Sequence, residues 1–159
     1  MNSITATRNI PANAATVWAL VSDVTTVQAF HPRVQTVDLL SDAATGLGAT
    51  RRCNFYDGTS VVEVVDSIEE GRRVHLTLSE YDVPMKSFEA AITLKPLTGG
   101  QTQVSMILTY SMKFGVLGKL MDVAMVRGQM SKLMNEVLAG MAHHLRTGET
   151  VGENTAMAA

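Results

Sequence analysis

Residues 116–146 read VLGKLMDVAMVRGQMSKLMNEVLAGMAHHLR, and this stretch decides the fold. No proline interrupts it. Met130, Met134, Val137, Leu138, Met141 and Leu145 recur in steps of three and four, which places them on one face of an α-helix. The stretch therefore reads as one long helix, closed by Gly148, because glycine tolerates the left-handed backbone that ends helices. Methionine also stands at Met121 and Met125. Its flexible, polarizable side chain suits a surface that packs against varied apolar shapes.

Everything upstream of this helix has a different period. Val34–Leu40, Ala49–Tyr56, Thr59–Ile68, Arg72–Tyr81, Met85–Leu97 and Gln101–Lys113 read as strands. Turn signals separate them: Ser41–Gly48, Asp57-Gly58, Glu69–Gly71, Asp82–Pro84 and Gly99-Gly100. Short turns make sequence neighbours antiparallel. A first strand is expected at Ser3–Asn9. Pro11 is expected to open a helix running to Val21, and Asp23 to cap a second short helix, Val24–Phe30, ended by His31-Pro32. Consecutive antiparallel strands cannot bury an apolar face alone, and the final helix is the element large enough to cover it. The expected fold is α+β: a curved antiparallel sheet of about seven strands around a long C-terminal helix, with two short helices after strand one. A twisted sheet and a straight helix do not match everywhere, so space is expected between them. One domain over 1–148 is expected, with a disordered tail at 149–159.

Composition narrows the function. The chain has 159 residues, 46% hydrophobic and 18% charged, with a net charge of −2. A chain of this size buries a core without staples. No basic patch appears, which argues against a nucleic-acid partner. The lone Cys53 excludes an internal disulfide framework and fits a reducing compartment. No charged segment followed by an apolar run opens the chain, and no stretch is long and apolar enough to span a bilayer, so a cytoplasmic location is expected. Phosphate loops and dinucleotide fingerprints are absent. No His, Asp, Glu or Cys set has metal-ligand spacing, and no metal or cofactor is assigned.

Four segments, taken in order, resemble the START-like or SRPBCC superfamily, the helix-grip fold. They are the opening strand leading to Ile10-Pro11-Ala12 and Val17-Trp18-Ala19-Leu20-Val21-Ser22-Asp23, the Phe30-His31-Pro32 turn, Gly46–Arg52 (GLGATRR), and the amphipathic C-terminal helix. Within that group the chain is most similar to the bacterial polyketide cyclase/dehydrase-like proteins. The resemblance implies a hydrophobic cavity between sheet and helix, its mouth framed by the loops near Phe30-His31, Asp57-Gly58 and Asp82–Pro84. It also implies that the face carrying Arg51, Cys53 and Phe55 points inward.

An inward Arg51 could hold a ligand carboxylate or enolate, or pair with Glu63 on the next strand; both readings stand. Glu63 sits among Val61, Val62, Val64 and Val65. Facing inward, it is a candidate general acid or base; facing outward, it belongs to the polar face of a strand. Leu76 and Leu78 share a face, as do Phe88, Ala90, Ile92 and Leu94, and Val104, Met106, Leu108, Tyr110 and Met112. Most read as core, with Leu78, Phe88, Ala90 and Tyr110 as wall candidates and the Tyr110 hydroxyl as a polar handle. Phe30 and His31 would stand at the mouth. Met121 and Met125 would face ligand from the helix, and Gly128 would mark a close approach there. Three functions follow: a carrier or sensor of a small apolar molecule, such as a lipid, polyketide or aromatic metabolite; a cofactor-free cyclase or dehydratase using Arg51, Glu63 and Tyr110; or a protein-interaction module with an apolar patch on the outer sheet face, to which Val61, Val65 and Ile107 would contribute, although Val61 and Val65 would instead point inward with an inward Glu63. A homodimer would use the same surface.

Overall fold

The computed structural model describes residues 1–157. Seven strands form one antiparallel sheet: β1 (Asn2–Ile10), β2 (Val34–Leu39), β3 (Thr50–Phe55), β4 (Ser60–Glu69), β5 (Arg73–Ser79), β6 (Met85–Pro96) and β7 (Thr102–Met112). Their spatial order is β1-β7-β6-β5-β4-β3-β2. Each strand from β2 to β7 thus lies beside its sequence neighbour, and β1 closes onto β7. Register shifts at Val34/Thr36, Val65/Ser67 and Met85/Ser87 mark bulges, which bend and twist a sheet locally.

Two short helices, α1 (Ala14–Ser22) and α2 (Val27–Phe30), follow β1. Both begin later than the sequence suggests. Asn13, not Pro11, is the cap of α1: its side-chain oxygen accepts from the Thr16 N–H at 2.9 Å. Asp23 uses Oδ1 to accept from the Thr25 N–H at 2.8 Å and from the Thr25 hydroxyl, which makes a turn ahead of α2 rather than its first helical residues.

The C-terminal helix is continuous from Gly115 to Thr147 but not uniform. It comprises α3 (Gly115–Met121), a π-helical turn (Asp122–Val126) and α4 (Arg127–Thr147). Gly148, at φ 76°, closes it by donating its N–H to the His144 carbonyl at 2.7 Å. The expected stripe is the buried one: Met134, Val137, Leu138 and Met141 are almost wholly enclosed, against β1 and α2.

The tail corrects the sequence reading. Residues 149–157 fold back instead of fraying. Val151 is 1% exposed, and its N–H donates to the Ala29 carbonyl at 2.9 Å. One valine in a polar stretch gave no periodic signal, yet it docks beside Gly140, where the absence of a side chain leaves room. The disorder expected for Ala158 and Ala159 concerns positions outside the described residues.

The two mid-helix glycines of α4 predict opposite responses. A Cβ on Gly140 would stand 2.1 Å from the Phe30 carbonyl oxygen, whereas one on Gly128 would meet open space. Gly140→Ala is expected to cost about 1–3 kcal/mol through forced separation of α2 and α4. Gly128→Ala is expected to add up to about 1 kcal/mol through helix propensity alone. Urea unfolding of the two variants checks both signs.

Candidate functional site

The sheet register builds the site rank by rank. Leu39, Arg51, Glu63 and Leu78 pair in succession across β2, β3, β4 and β5. Val65, Leu76, Ala90, Leu108 and Ile4 form the next rank, through to β1. Side chains alternate along each strand, so pairing fixes which residues share a face. This settles the orientation of Glu63, which the surrounding valines left open. It faces inward with Val61 and Val65.

Between this face and α4 lies a cavity of about 810 Å3. Val61, Leu76, Ile92, Met106 and Leu108 form its floor, and Met130, Leu133, Met134 and Val137 of α4 its roof. Phe30, His31, Phe55, Tyr81, Val83 and Phe88 stand along its walls. His31 and Phe55 face each other with ring centroids 6.0 Å apart, and Tyr81 meets Phe88 edge-on at 5.7 Å. The rim is formed by residues around His31, around Asp57, and at Asp82–Val83, with Glu153, Thr155 and Met157 of the folded-back tail completing it. The tail's part had no signal in the sequence.

One wall is charged. Arg51 Nε donates to Glu63 Oε2 at 2.5 Å, and Arg51 Nη1 donates to the Val24 carbonyl at 3.0 Å. The Arg51 and Glu63 side chains are 8% and 14% exposed. Burial is the largest single influence and would favour discharging Arg51, but Glu63 and Cys53 beside it together outweigh it and move the arginine pKa further up. The Cys53 thiol lies 3.7 Å from the same carboxylate oxygen. Burial, reinforced by Glu63, pushes it up to about 12, which leaves an inert thiol. His31, whose ring lies against Phe55 of the same strand face, is pushed down to about 3 by burial and by Arg51 and Arg33. Its Nδ1 accepts from the Arg33 N–H at 3.2 Å, consistent with a neutral ring.

The structure brings together Phe30, His31, Arg51, Phe55, Glu63, Leu78, Phe88 and Ala90. Four expected site residues lie elsewhere. Tyr110 is fully buried outside the cavity lining, and its hydroxyl donates to Asp122. Burial and that carboxylate push its pKa up to about 12. Met121 and Met125 are 38% and 58% exposed and turn away from the interior. Gly128 is exposed with nothing near it, so no close approach occurs there. The helical wheel assumed regular turns through 116–146, and the π turn and the inward Asp122 rotate the first part of the helix out of that scheme. Val61 and Val65 are 6% and 2% exposed on the inner face, the position that an inward Glu63 implies for them, and so take no part in an outer patch.

A curved antiparallel sheet closed by one long helix over a cavity is the helix-grip architecture, and the chain aligns with solved structures of that class. A START superfamily protein from Mycobacterium smegmatis superposes with a TM-score of 0.70 at 19% identity, covering 90% of this chain and 98% of that one. A protein from Thermus thermophilus gives 0.75 at 18% identity, covering 92% and 99%. The di-domain ARO/CYC protein BexL of the BE-7585A biosynthetic pathway gives 0.76 at 14% identity, covering 92% of this chain and 47% of its own. No curated protein matches the sequence. The model of the family described as polyketide cyclase / dehydrase and lipid transport matches residues 1–146, and the chain belongs to that family.

Two outcomes follow from the charged wall. Glu63→Ala strands a buried guanidinium and is expected to cost about 3–5 kcal/mol, whereas Arg51→Met with Glu63→Leu recovers much of that loss; urea unfolding of the single and double variants measures it. The second outcome concerns acid. His31 is neutral when folded and binds a proton near pH 6.5 when unfolded, so its contribution is present above that pH and is lost as pH falls from about 6.5 toward 3. The melting temperature of His31→Gln should therefore fall less than that of the unaltered chain between pH 7 and pH 4.5. Equal falls would contradict the assignment.

Proposed function

We propose that the chain holds one small, largely apolar molecule in the cavity between the sheet and α4. The cavity carries this reading. Its volume of about 810 Å3 falls in the roughly 300–1,000 Å3 of small-molecule sites, and its lining follows their usual plan of apolar walls with a few fixed polar groups. A lipid, a polyketide or an aromatic metabolite has the matching chemistry. The polar wall refines the choice. All three guanidinium nitrogens of Arg51 are engaged, Nε and Nη2 by Glu63 and Nη1 by the Val24 carbonyl. A ligand carboxylate would have to displace Glu63, whereas a hydroxyl or carbonyl can share the pair. Neutral oxygenated ligands are therefore favoured over acids. The methionines at 106, 130, 134 and 157 on the lining can adjust to more than one ligand shape.

One observation favours a second reading, a cofactor-free cyclase or dehydratase: Arg51 and Glu63 both line the cavity, where Glu63 could exchange a proton and Arg51 could steady a developing enolate. Tyr110 has no part in it. Turnover of an identified substrate that survived Glu63→Gln unchanged would remove this reading while leaving the carrier intact.

Thermal melting with a panel of naphthols, flavonoids and medium-chain alcohols tests the carrier. A ligand at a hundred times its Kd adds about 2.7 kcal/mol. In a chain of this length that is a rise of roughly 5–10 °C. Ala90→Phe, which fills the cavity from its sheet wall, is expected to stay folded and abolish the rise. The proposal fails if no member of the panel shifts the melt and extracts of the purified protein contain no small molecule.

A further inference from the structure

The helix segment ahead of α4 is built inside out. Among the described side chains of α3 and the π turn, the buried residues are Gly118 and Asp122, and Val126 packs partly buried against the core. A Cβ on Gly118 would stand 2.1 Å from the Lys113 carbonyl oxygen, and the Asp122 carboxylate accepts from the Tyr110 hydroxyl and, at 2.9 Å, from Asn2 Nδ2. These contacts fix the rotation of the helix. Six apolar residues are left outside: Phe114, Val116, Leu117 and Leu120 are 65–80% exposed, continued by Met121 and Met125. Phe114 even sits in the left-handed backbone region, at φ 69°, which is costly for a bulky residue, and so stands out at the start of the helix. A contiguous apolar face of this kind marks a docking surface.

The charges around it select the partner. Within 113–127 the ionisable side chains are Lys113, Lys119 and Arg127, all exposed, and Asp122, which is buried; Lys132, further along the helix, is paired with Glu136 at 3.9 Å. A chain of net charge −2 thus carries a locally cationic, apolar helix. Apolar residues on one side with lysine and arginine flanking them is the pattern of helices that lie in the interface of anionic bilayers. A second copy related by a two-fold axis would set the same cations against one another. We propose that residues 113–127 dock the protein on an anionic lipid surface, with Phe114, Leu117 and Leu120 entering the acyl boundary and the cations meeting headgroups. The backbone N–H of Lys113 donates to the Pro84 carbonyl at 3.0 Å, so the docked face adjoins the Asp82–Val83 rim of the cavity. Docking itself requires no occupant in the cavity, so it stands or falls apart from the ligand reading.

Flotation of the full chain with phosphatidylcholine vesicles, with and without one third phosphatidylglycerol, tests it. The protein should float with the anionic vesicles, far less with the neutral ones, and release as salt is raised. Burying a leucine is worth about tenfold in affinity, so Leu117→Glu with Leu120→Glu should weaken binding at least about tenfold without lowering the melting temperature. Leu40→Glu, exposed but outside the patch, should leave binding unchanged. Failure of the unaltered chain to bind anionic vesicles, or undiminished binding by the double variant, would overturn the proposal. So would a dimer in light scattering that the same double variant disperses, which would assign the face to a second copy.

Discussion

Met134, Val137, Leu138 and Met141 press α4 onto β1 and α2, and the remaining architecture depends on that contact. A straight helix can follow a twisted sheet only over part of its length. Where α4 is seated, the core is closed. Away from that contact a gap remains between α4 and strands β3 to β7, and it becomes the cavity. Its roof, Met130 and Leu133, is the continuation of the stripe that does the seating. Container and core are therefore one packing problem with two outcomes along the same helix.

The charged wall is the costly part of this arrangement. A buried ion pair rarely stabilises more than an apolar pair of similar volume. Here Arg51 is held from two sides, by Glu63 across the strand pair and by the Val24 carbonyl in the α1–α2 connection. This fixes a polar point in an otherwise apolar space and ties the helical connection to the sheet. The same guanidinium contributes to keeping His31 neutral. The site thus presents the inner Arg51–Glu63 pair, a more exposed Arg33–Glu136 pair at 2.9 Å, one neutral imidazole and an inert thiol. That set is suited to orienting a hydroxyl or carbonyl, and it offers no activated nucleophile.

Strand periodicity and turn chemistry made the sheet legible from the sequence, and proline-free spacing did the same for the helix. The resemblance brought Arg51, Phe55 and the mouth loops to the cavity before any contact was known. Glu63 was ambiguous because valines flank it on both sides, so alternation carried no sign; its partner Arg51 fixes its face. Three features lay beyond sequence reasoning for separate reasons. Tyr110 shares a strand face with Leu108, but Asp122 draws its hydroxyl away from the cavity. Asp122 itself was the one acid in a long run of apolar and basic residues, a signal that could have been read. Met121 and Met125 fit a helical stripe on paper, but a π turn shifts the phase between them and Met130. The tail docks through a single valine and a backbone hydrogen bond, which leave no pattern in composition.

The central claim is that the space beneath α4 receives an apolar molecule, and the methionines provide a direct readout. With methyl-labelled methionine, NMR spectra recorded while 2-naphthol is added below its solubility limit report inside and outside positions at once. The Met106, Met130 and Met134 methyl signals should shift and saturate together, while those of Met121 and Met125 stay in place. Unmoved cavity methyls, or shifts confined to Met121 and Met125, would contradict the account.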